Sequence, residues 1–204
     1  KPYFTLHHFY TSDNNTEIAN TAYLSIGNGG GRWSESKSKR IIDFQKDGQI
    51  EWDAVTSANQ SIPGTIENEA GSAKNILSDY LAGHTQAGIK SNISHKLSDK
   101  FTLTEGIHYQ FYSTWEKEKI TDMLGGNYWY EDYSKSSLAG LAGRNPIKHA
   151  GDYIRTDNGK IINHLTLYTM LNYSSEKWEV RAGISAMGST NKRWDKYNYT
   201  SDIF

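Results

Sequence analysis

The sequence holds no cysteine in its 204 residues. That excludes a disulfide framework and any thiolate metal site, and it is compatible with an oxidising compartment. Charge excess is missing as well: 22 Lys+Arg stand against 23 Asp+Glu. Such balance lacks the basic footprint of a nucleic-acid binder, so no nucleic-acid partner is expected. No run reaches the roughly 18 consecutive apolar residues that a transmembrane helix needs. That exclusion does not extend to β-barrels, whose strands hide only every second side chain in lipid.

Hydrophobic residues are scarce at 36 %, yet aromatics reach 13 %, with 14 Tyr and 6 Trp. A disordered chain is poor in aromatics. Abundant Tyr, Trp, Gly, Asn, Ser and Thr point instead to β-structure with polar loops.

Period-two alternation is the clearest pattern. From Phe101 to Tyr112, the residues Phe101, Leu103, Ile107, Tyr109 and Phe111 share one face, interrupted by Glu105. Thr102, Thr104, Gly106, His108, Gln110 and Tyr112 share the other. From His164 to Tyr173, Leu165, Leu167, Thr169, Leu171 and Tyr173 oppose His164, Thr166, Tyr168, Met170 and Asn172. From Trp178 onward, Trp178, Val180, Ala182, Ile184 and Ala186 oppose Glu179, Arg181, Gly183, Ser185 and Met187. Gln86 to Leu97 and Asn20 to Gly27 alternate less strictly, through Ala87, Ile89, Ile93 and Leu97 and through Ala22, Leu24 and Ile26. Tyr3 to Tyr10 reads as a strand whose faces compete.

These runs predict six antiparallel strands near residues 3–10, 19–27, 86–97, 101–113, 162–173 and 178–188. Short polar turns join them in pairs at 11–17, 98–100 and 174–177. The other two connections are long, about 28–83 and 113–162. A compact soluble domain rarely holds two such loops. Alternation of tight turns with long loops is the habit of an outer-membrane barrel, and runs of about 8–12 residues suit tilted strands that cross the hydrocarbon layer.

Four stretches carry a resemblance. The segment Ala22 to Gly31 is similar to the strand-to-loop junction of TonB-dependent outer-membrane receptors of the Bacteroidetes type. So is Gly106 to Tyr112 followed by Ile120 to Trp129. Gly151 to Ile154 leads into the next strand, and Arg193 to Tyr199 looks like the aromatic start of the following loop. The resemblance covers nearly the whole chain and thins between Ser34 and Tyr80. It implies a 22-stranded barrel with an internal plug, driven through the TonB complex, that imports a scarce nutrient such as a metal chelate, cobalamin or an oligosaccharide. The signal sequence, plug domain and TonB-contact segment of that family are not recognised here. The expectation is therefore one part of a transmembrane β-barrel domain, 1–204, an all-β antiparallel meander cut from a larger barrel in the outer membrane of a Gram-negative bacterium. Its expected partners are outer-membrane lipid, the TonB complex through the missing N-terminal part, a surface lipoprotein, and a small-molecule or glycan ligand.

The candidate lipid-facing residues are Phe101, Leu103, Ile107, Tyr109, Leu165, Leu167, Leu171, Trp178, Val180 and Ile184. Trp115, Tyr112 and Tyr173 read as strand-end residues of an interfacial aromatic girdle. Candidate ligand-binding residues are Tyr128, Trp129, Tyr130 and Tyr133, beside Glu131 and Asp132, together with Trp33. Flat rings stack on sugar or chelate rings, and carboxylates accept from hydroxyls; the competing reading is packing of the loop on its neighbours. Trp52 and Trp194 carry the same two readings.

No cofactor, metal site or catalytic constellation is expected. None of the seven histidines forms a helical i, i+4 pair. His108 and His164 read as hydrated side chains on polar strand faces. Gly27 to Gly31 lacks the following Lys-Ser/Thr of a phosphate cradle. The acid pairs Glu131-Asp132 and Glu67/Glu69 read as loop acids. The alternative to a transporter wall is a soluble, aromatic-rich β-sandwich that binds carbohydrate. Such a sandwich would bury its apolar face against a second sheet.

Overall fold

The structure is a computed structural model, and it describes residues 2–12, 15–60, 71–133 and 143–199. Strands make up 70 % of it and helix 7 %. The strands are β1 (Tyr3–Ser12), β2 (Thr16–Ser36), β3 (Gln45–Lys46), β4 (Gln49–Ile50), β5 (Asn75–Lys96), β6 (Phe101–Asp122), β7 (Trp129–Tyr130), β8 (Ile147–Lys148), β9 (Tyr153–Ser174) and β10 (Glu179–Asp195). One helix, α1 (Trp52–Gln60), follows a 3-10 turn at Ile41–Phe44. Six strands form one antiparallel sheet in the order β1-β2-β5-β6-β9-β10. Sheet order therefore follows chain order, as in a meander. β3 pairs with β4 and β7 with β8 in two small ribbons.

All six expected strands are present, and no helix crosses any of them. Two of the tight turns close in the same way. The Ser98 hydroxyl accepts the Phe101 N–H at 3.2 Å, and the Ser175 hydroxyl accepts the Trp178 N–H at 3.2 Å. A serine that caps its own turn is a local device, independent of tertiary packing.

Five strands run far past their expected ends, β10 among them, which continues to Asp195. β2 continues to Ser36, β5 begins at Asn75, β6 continues to Asp122 and β9 begins at Tyr153. The connections between them are correspondingly shorter than 28–83 and 113–162. In these outer stretches the alternation fails, because polar and charged residues occupy both sides. GGGRWSES and TWEKEKITD show no apolar face to the eye, yet they still pair.

The chain divides into two compact units. The first comprises residues 1–27, 83–114 and 160–192; the second comprises 28–82, 115–159 and 193–204. The first unit is sheet alone. Its β1–β2 register pairs Phe4 with Leu24, Leu6 with Ala22 and Tyr10 with Ile18. That resolves the competing faces of β1: Phe4, Leu6 and Tyr10 join the apolar side, while Tyr3, His7 and Phe9 join the polar one.

The second unit has a closed core of Ala73, Ile76, Ile120, Trp129 and Ile154, with Met123 packed against it. The turn after β6 needs its glycines. Gly125 sits at φ +82°, and a Cβ on Gly126 would strike Ala73 at 2.6 Å. The close approach lets the Ala73 N–H reach the Tyr128 carbonyl at 2.8 Å and seats Trp129 in the core.

Candidate functional site

Side-chain contacts assign the two sides of the first unit. On one side, the Tyr109 hydroxyl donates to Asn163 Oδ1 at 2.8 Å and Asn163 donates to Thr190 at 3.3 Å. Phe101 and Tyr173 rings meet at 5.1 Å on that side. Strand alternation then places Leu103, Ile107, Leu165, Leu167, Leu171, Val180 and Ile184 there too. Trp178, the residue before β10, falls in the same phase. Nearly all of these residues are exposed: Leu167 is 48 % and Ile184 73 % open. Leu103 is half-buried. Phe4, Leu6, Leu24, Ile26, Ile89 and Ile93 extend the exposed apolar side across β1, β2 and β5. Glu105 interrupts it, as the sequence shows, and its neighbours there include Ile93, Ile107 and Leu167.

The opposite side is polar and aromatic. Tyr23 Oη shares a hydrogen bond of 3.0 Å with His108 Nε2. His84 stacks on Tyr112 at 6.0 Å, and His164 Nε2 pairs with the Thr166 hydroxyl at 3.0 Å. Two tyrosines lie flat over glycines. The Tyr23 ring covers Gly88, and the Tyr168 ring covers Gly106 while its hydroxyl donates to Asn92. A Cβ at either glycine would enter the ring. These glycines are therefore sockets, and the two tyrosines reach across the sheet from opposite directions.

The strand-end expectation is corrected in part. Trp115 and Tyr112 lie within β6, which runs on to Asp122, so neither marks a strand end. Tyr112 stacks on His84 and so lies on the polar side. Tyr173 keeps its place near the strand end, beside Phe101.

The second unit holds all of the expected capture residues, and it buries all but Trp33. Tyr128, Trp129, Tyr130 and Tyr133 are all buried, Trp129 to 5 % exposure. They pack rather than present a stacking surface, which corrects the capture reading for these four. Lys37 Nζ lies 5.0 Å from both the Trp129 and Tyr130 ring centroids. Tyr133 meets Tyr197 at 5.3 Å and Arg144 at 4.7 Å. Glu131 is buried among them. It accepts the Tyr133 N–H at 3.2 Å and the Tyr197 hydroxyl at 3.4 Å. Burial pushes its carboxyl above the usual carboxylate range, and Asp132 adds to the shift against the opposing pull of the Tyr133 N–H and Lys37. Tyr197 is pushed up as well, first by burial and then by the charge of Glu131. Of the candidate ligand-binding residues only Trp33 exposes its ring, at 60 %. Trp52 is exposed and Trp194 half-buried. Glu67 and Glu69 lie outside the described residues.

Sequence reasoning missed two groups. One is Asn59, fully buried on α1. Its amide donates to the carbonyls of Asn75 (2.8 Å), Met123 (3.1 Å) and Leu124 (2.9 Å), and its Oδ1 accepts the N–H of Lys74 (2.9 Å) and Asn75 (3.0 Å). The other is an ionic network. Arg155, held at φ +57°, pairs with Glu35 and lies 4.0 Å from Glu118, which accepts Ser78 at 2.7 Å. Neither offers a sequence signal, because the partners are 15 to 120 residues apart.

Among the described residues no group of His, Asp or Glu is placed to hold a metal ion. No helix among them is long and apolar enough to cross a membrane, a statement that leaves strand-crossing untouched. Comparison with protein-family models, curated proteins and solved structures finds no match to this chain. What the fold itself defines is a class: an all-β antiparallel meander, apolar on one side and polar on the other in its sheet-only unit.

Proposed function

We propose that this chain is a section of the wall of an outer-membrane β-barrel, with its apolar side against lipid and its polar side toward the lumen. One observation carries the proposal: the exposed apolar side of the first unit spans all six strands. Six strands at about 4.8 Å spacing span roughly 25 Å, and runs of about ten residues add roughly 30 Å of length. The patch is then on the order of 750 Å², above the roughly 300–600 Å² of the largest patch on a typical soluble monomer. A carbohydrate-binding sandwich would cover this side with a second sheet. The two small ribbons belong to the second unit and offer no such cover within the first.

The transport role rests on the resemblance to TonB-dependent receptors. In this reading the wall belongs to a receptor that imports a metal chelate, cobalamin or an oligosaccharide, with a TonB complex and a surface lipoprotein as partners. Trp33 is the residue best placed among the candidates to meet ligand, since its ring is open.

The test is Leu167→Arg in the full-length protein. An arginine facing lipid near the bilayer midplane costs about 2–4 kcal/mol. Equilibrium folding into phosphatidylcholine vesicles should show that loss, while Gln110→Arg, on the polar side of β6, should cost much less of it. Equal effects at both positions would refute the assignment of lipid and lumen.

A further inference from the structure

The second unit contains a cavity of about 310 Å³ lined by Leu81, Trp115, Lys117, Tyr153 and Trp194. Its lining is three aromatic rings, one leucine and one cation. Lys117 Nζ lies 4.7 Å from the Tyr153 ring centroid and 3.7 Å from Asp157 Oδ1. That Asp157 oxygen is closed to solvent and has no hydrogen-bond donor among the described residues, whereas the Lys117 side chain is 30 % open. The more accessible charge of the pair is therefore the positive one, 30 % open against 18 % for Asp157, with the carboxylate behind it fixing the ammonium in place.

Along β6, the odd-numbered series Phe101, Leu103, Ile107, Tyr109 and Phe111 leads in sequence to Trp115 and Lys117. Along β10, the even-numbered series Val180 and Ile184 leads to Trp194. Trp115, Lys117 and Trp194 thus share the strand phase of the apolar series, although the stretches that carry them are otherwise polar. Tryptophan and tyrosine suit the boundary between hydrocarbon and water, because part of each ring system is apolar and one edge is polar. Lysine beside them can lay its stem on the rings and keep its charge at the aqueous edge.

A free inorganic anion would find one cation and little else to bind here. A neutral sugar would find few acceptors, since Asp157 Oδ1 is occluded and the Asp157 side chain is only 18 % open. An amphiphile with one negative group and a hydrocarbon stem matches both halves of the lining. We propose that the cavity seats the phosphate headgroup of a membrane lipid. Lys117 takes the phosphate, Asp157 positions Lys117, and Trp115, Trp194, Tyr153 and Leu81 hold the first carbons of the lipid. The proposal rests on the membrane reading above.

The experiment uses the full-length protein in uncharged maltoside micelles, with tryptophan emission as the readout. Phosphatidylglycerol with brominated acyl chains is the anionic probe, and diacylglycerol with the same chains is the uncharged one. Subtracting the signal of Trp115→Phe isolates quenching at the cavity. Phosphatidylglycerol should quench Trp115 at lower concentration than diacylglycerol. Lys117→Gln should weaken that preference by about tenfold, the order of one charge-assisted contact, and Lys117→Arg should keep it. Equal quenching by both probes, or an unchanged preference in Lys117→Gln, overturns the headgroup site while leaving the membrane reading intact. Competition by inorganic phosphate alone at equal concentration also overturns it, in favour of a free anion. If neither probe quenches any tryptophan, including Trp178 on the exposed apolar side, the membrane reading itself fails and the proposal falls with it.

Discussion

Asn59→Asp tests whether one buried amide fastens α1 to the ends of β5 and β6. The substitution is isosteric, so it changes hydrogen-bond polarity and leaves packing alone. The wild-type Nδ2 faces three carbonyl oxygens at 2.8–3.1 Å. An aspartate oxygen in its place donates nothing when ionised and repels all three. Each net hydrogen bond is worth about 1 kcal/mol, and each buried acceptor left unmet costs about 1–3 kcal/mol. Two lost donors and the stranded carbonyls sum to about 3–5 kcal/mol of local stability.

Hydrogen exchange reads that loss directly. The Lys74 and Asn75 amides donate to Asn59 Oδ1. Their exchange should speed up by about 100-fold or more, while amides of β6 between Thr102 and Gln110 keep their protection and serve as the internal reference. The effect must also depend on pH. A carboxyl facing carbonyl oxygens favours its neutral form, so its folded-state pKa lies above its unfolded value of about 3.9. The folded state then binds the proton more tightly, and stability falls as pH rises from the unfolded value through the folded one. The variant should be more protected at pH 5 than at pH 8, once intrinsic exchange is corrected for. Wild-type protection at Lys74 and Asn75, or a loss independent of pH, would refute the reasoning.

Gly106→Ala should displace the Tyr168 ring, break its hydrogen bond to Asn92 and cost about 1–3 kcal/mol in equilibrium unfolding. In a Tyr168→Ala background the same change should be nearly neutral, and a double-mutant cycle without coupling would exclude the socket. Glu131→Gln keeps both acceptor contacts and removes the buried charge. Because the Glu131 carboxyl titrates above its unfolded value, its contribution to stability is lost as pH rises; the Gln variant should therefore gain protection over wild type at pH 7, with the gain shrinking toward pH 4. A gain that grows on acidification would invert the sign and defeat the argument. Trp129→Ala should cost about 3–5 kcal/mol of local stability by opening the core of the second unit; protease resistance equal to wild type would return Trp129 to the surface.

The sheet was legible because every strand of the first unit has one side that is almost wholly apolar. Period two is visible wherever the two sides differ in polarity, as between Leu167 and Tyr168. It vanishes where both sides are polar, so the outer halves of β2, β5, β6 and β9 read as loop. The faces of β1 were not legible, because Tyr3 and Phe9 sit on the polar side and only the register with β2 separates them from Phe4 and Leu6. Burial of the Tyr128 to Tyr133 cluster was invisible for a different reason. It depends on Lys37, Ala73, Arg144 and Tyr197, which are distant in sequence. An aromatic run looks the same whether such partners cover it or not. Asn59 is the extreme case: an asparagine near the end of a short helix reads as a breaker, and only its five partners make it a fastener.

Sheet order that follows chain order has a mechanical consequence. No strand is enclosed between two strands remote from it in sequence, so each ladder can open without first breaking another. A pull on the β1 end loads the β1–β2 ladder one rung at a time, in the manner of a zipper, because β1 and β2 are antiparallel neighbours and consecutive in the chain. The sheet would come apart hairpin by hairpin, and by the same symmetry it would assemble hairpin by hairpin. Resistance to force then lies in the tyrosine-over-glycine sockets, which tie β2 to β5 and β9 to β6 across the boundaries where the zipper would otherwise run freely.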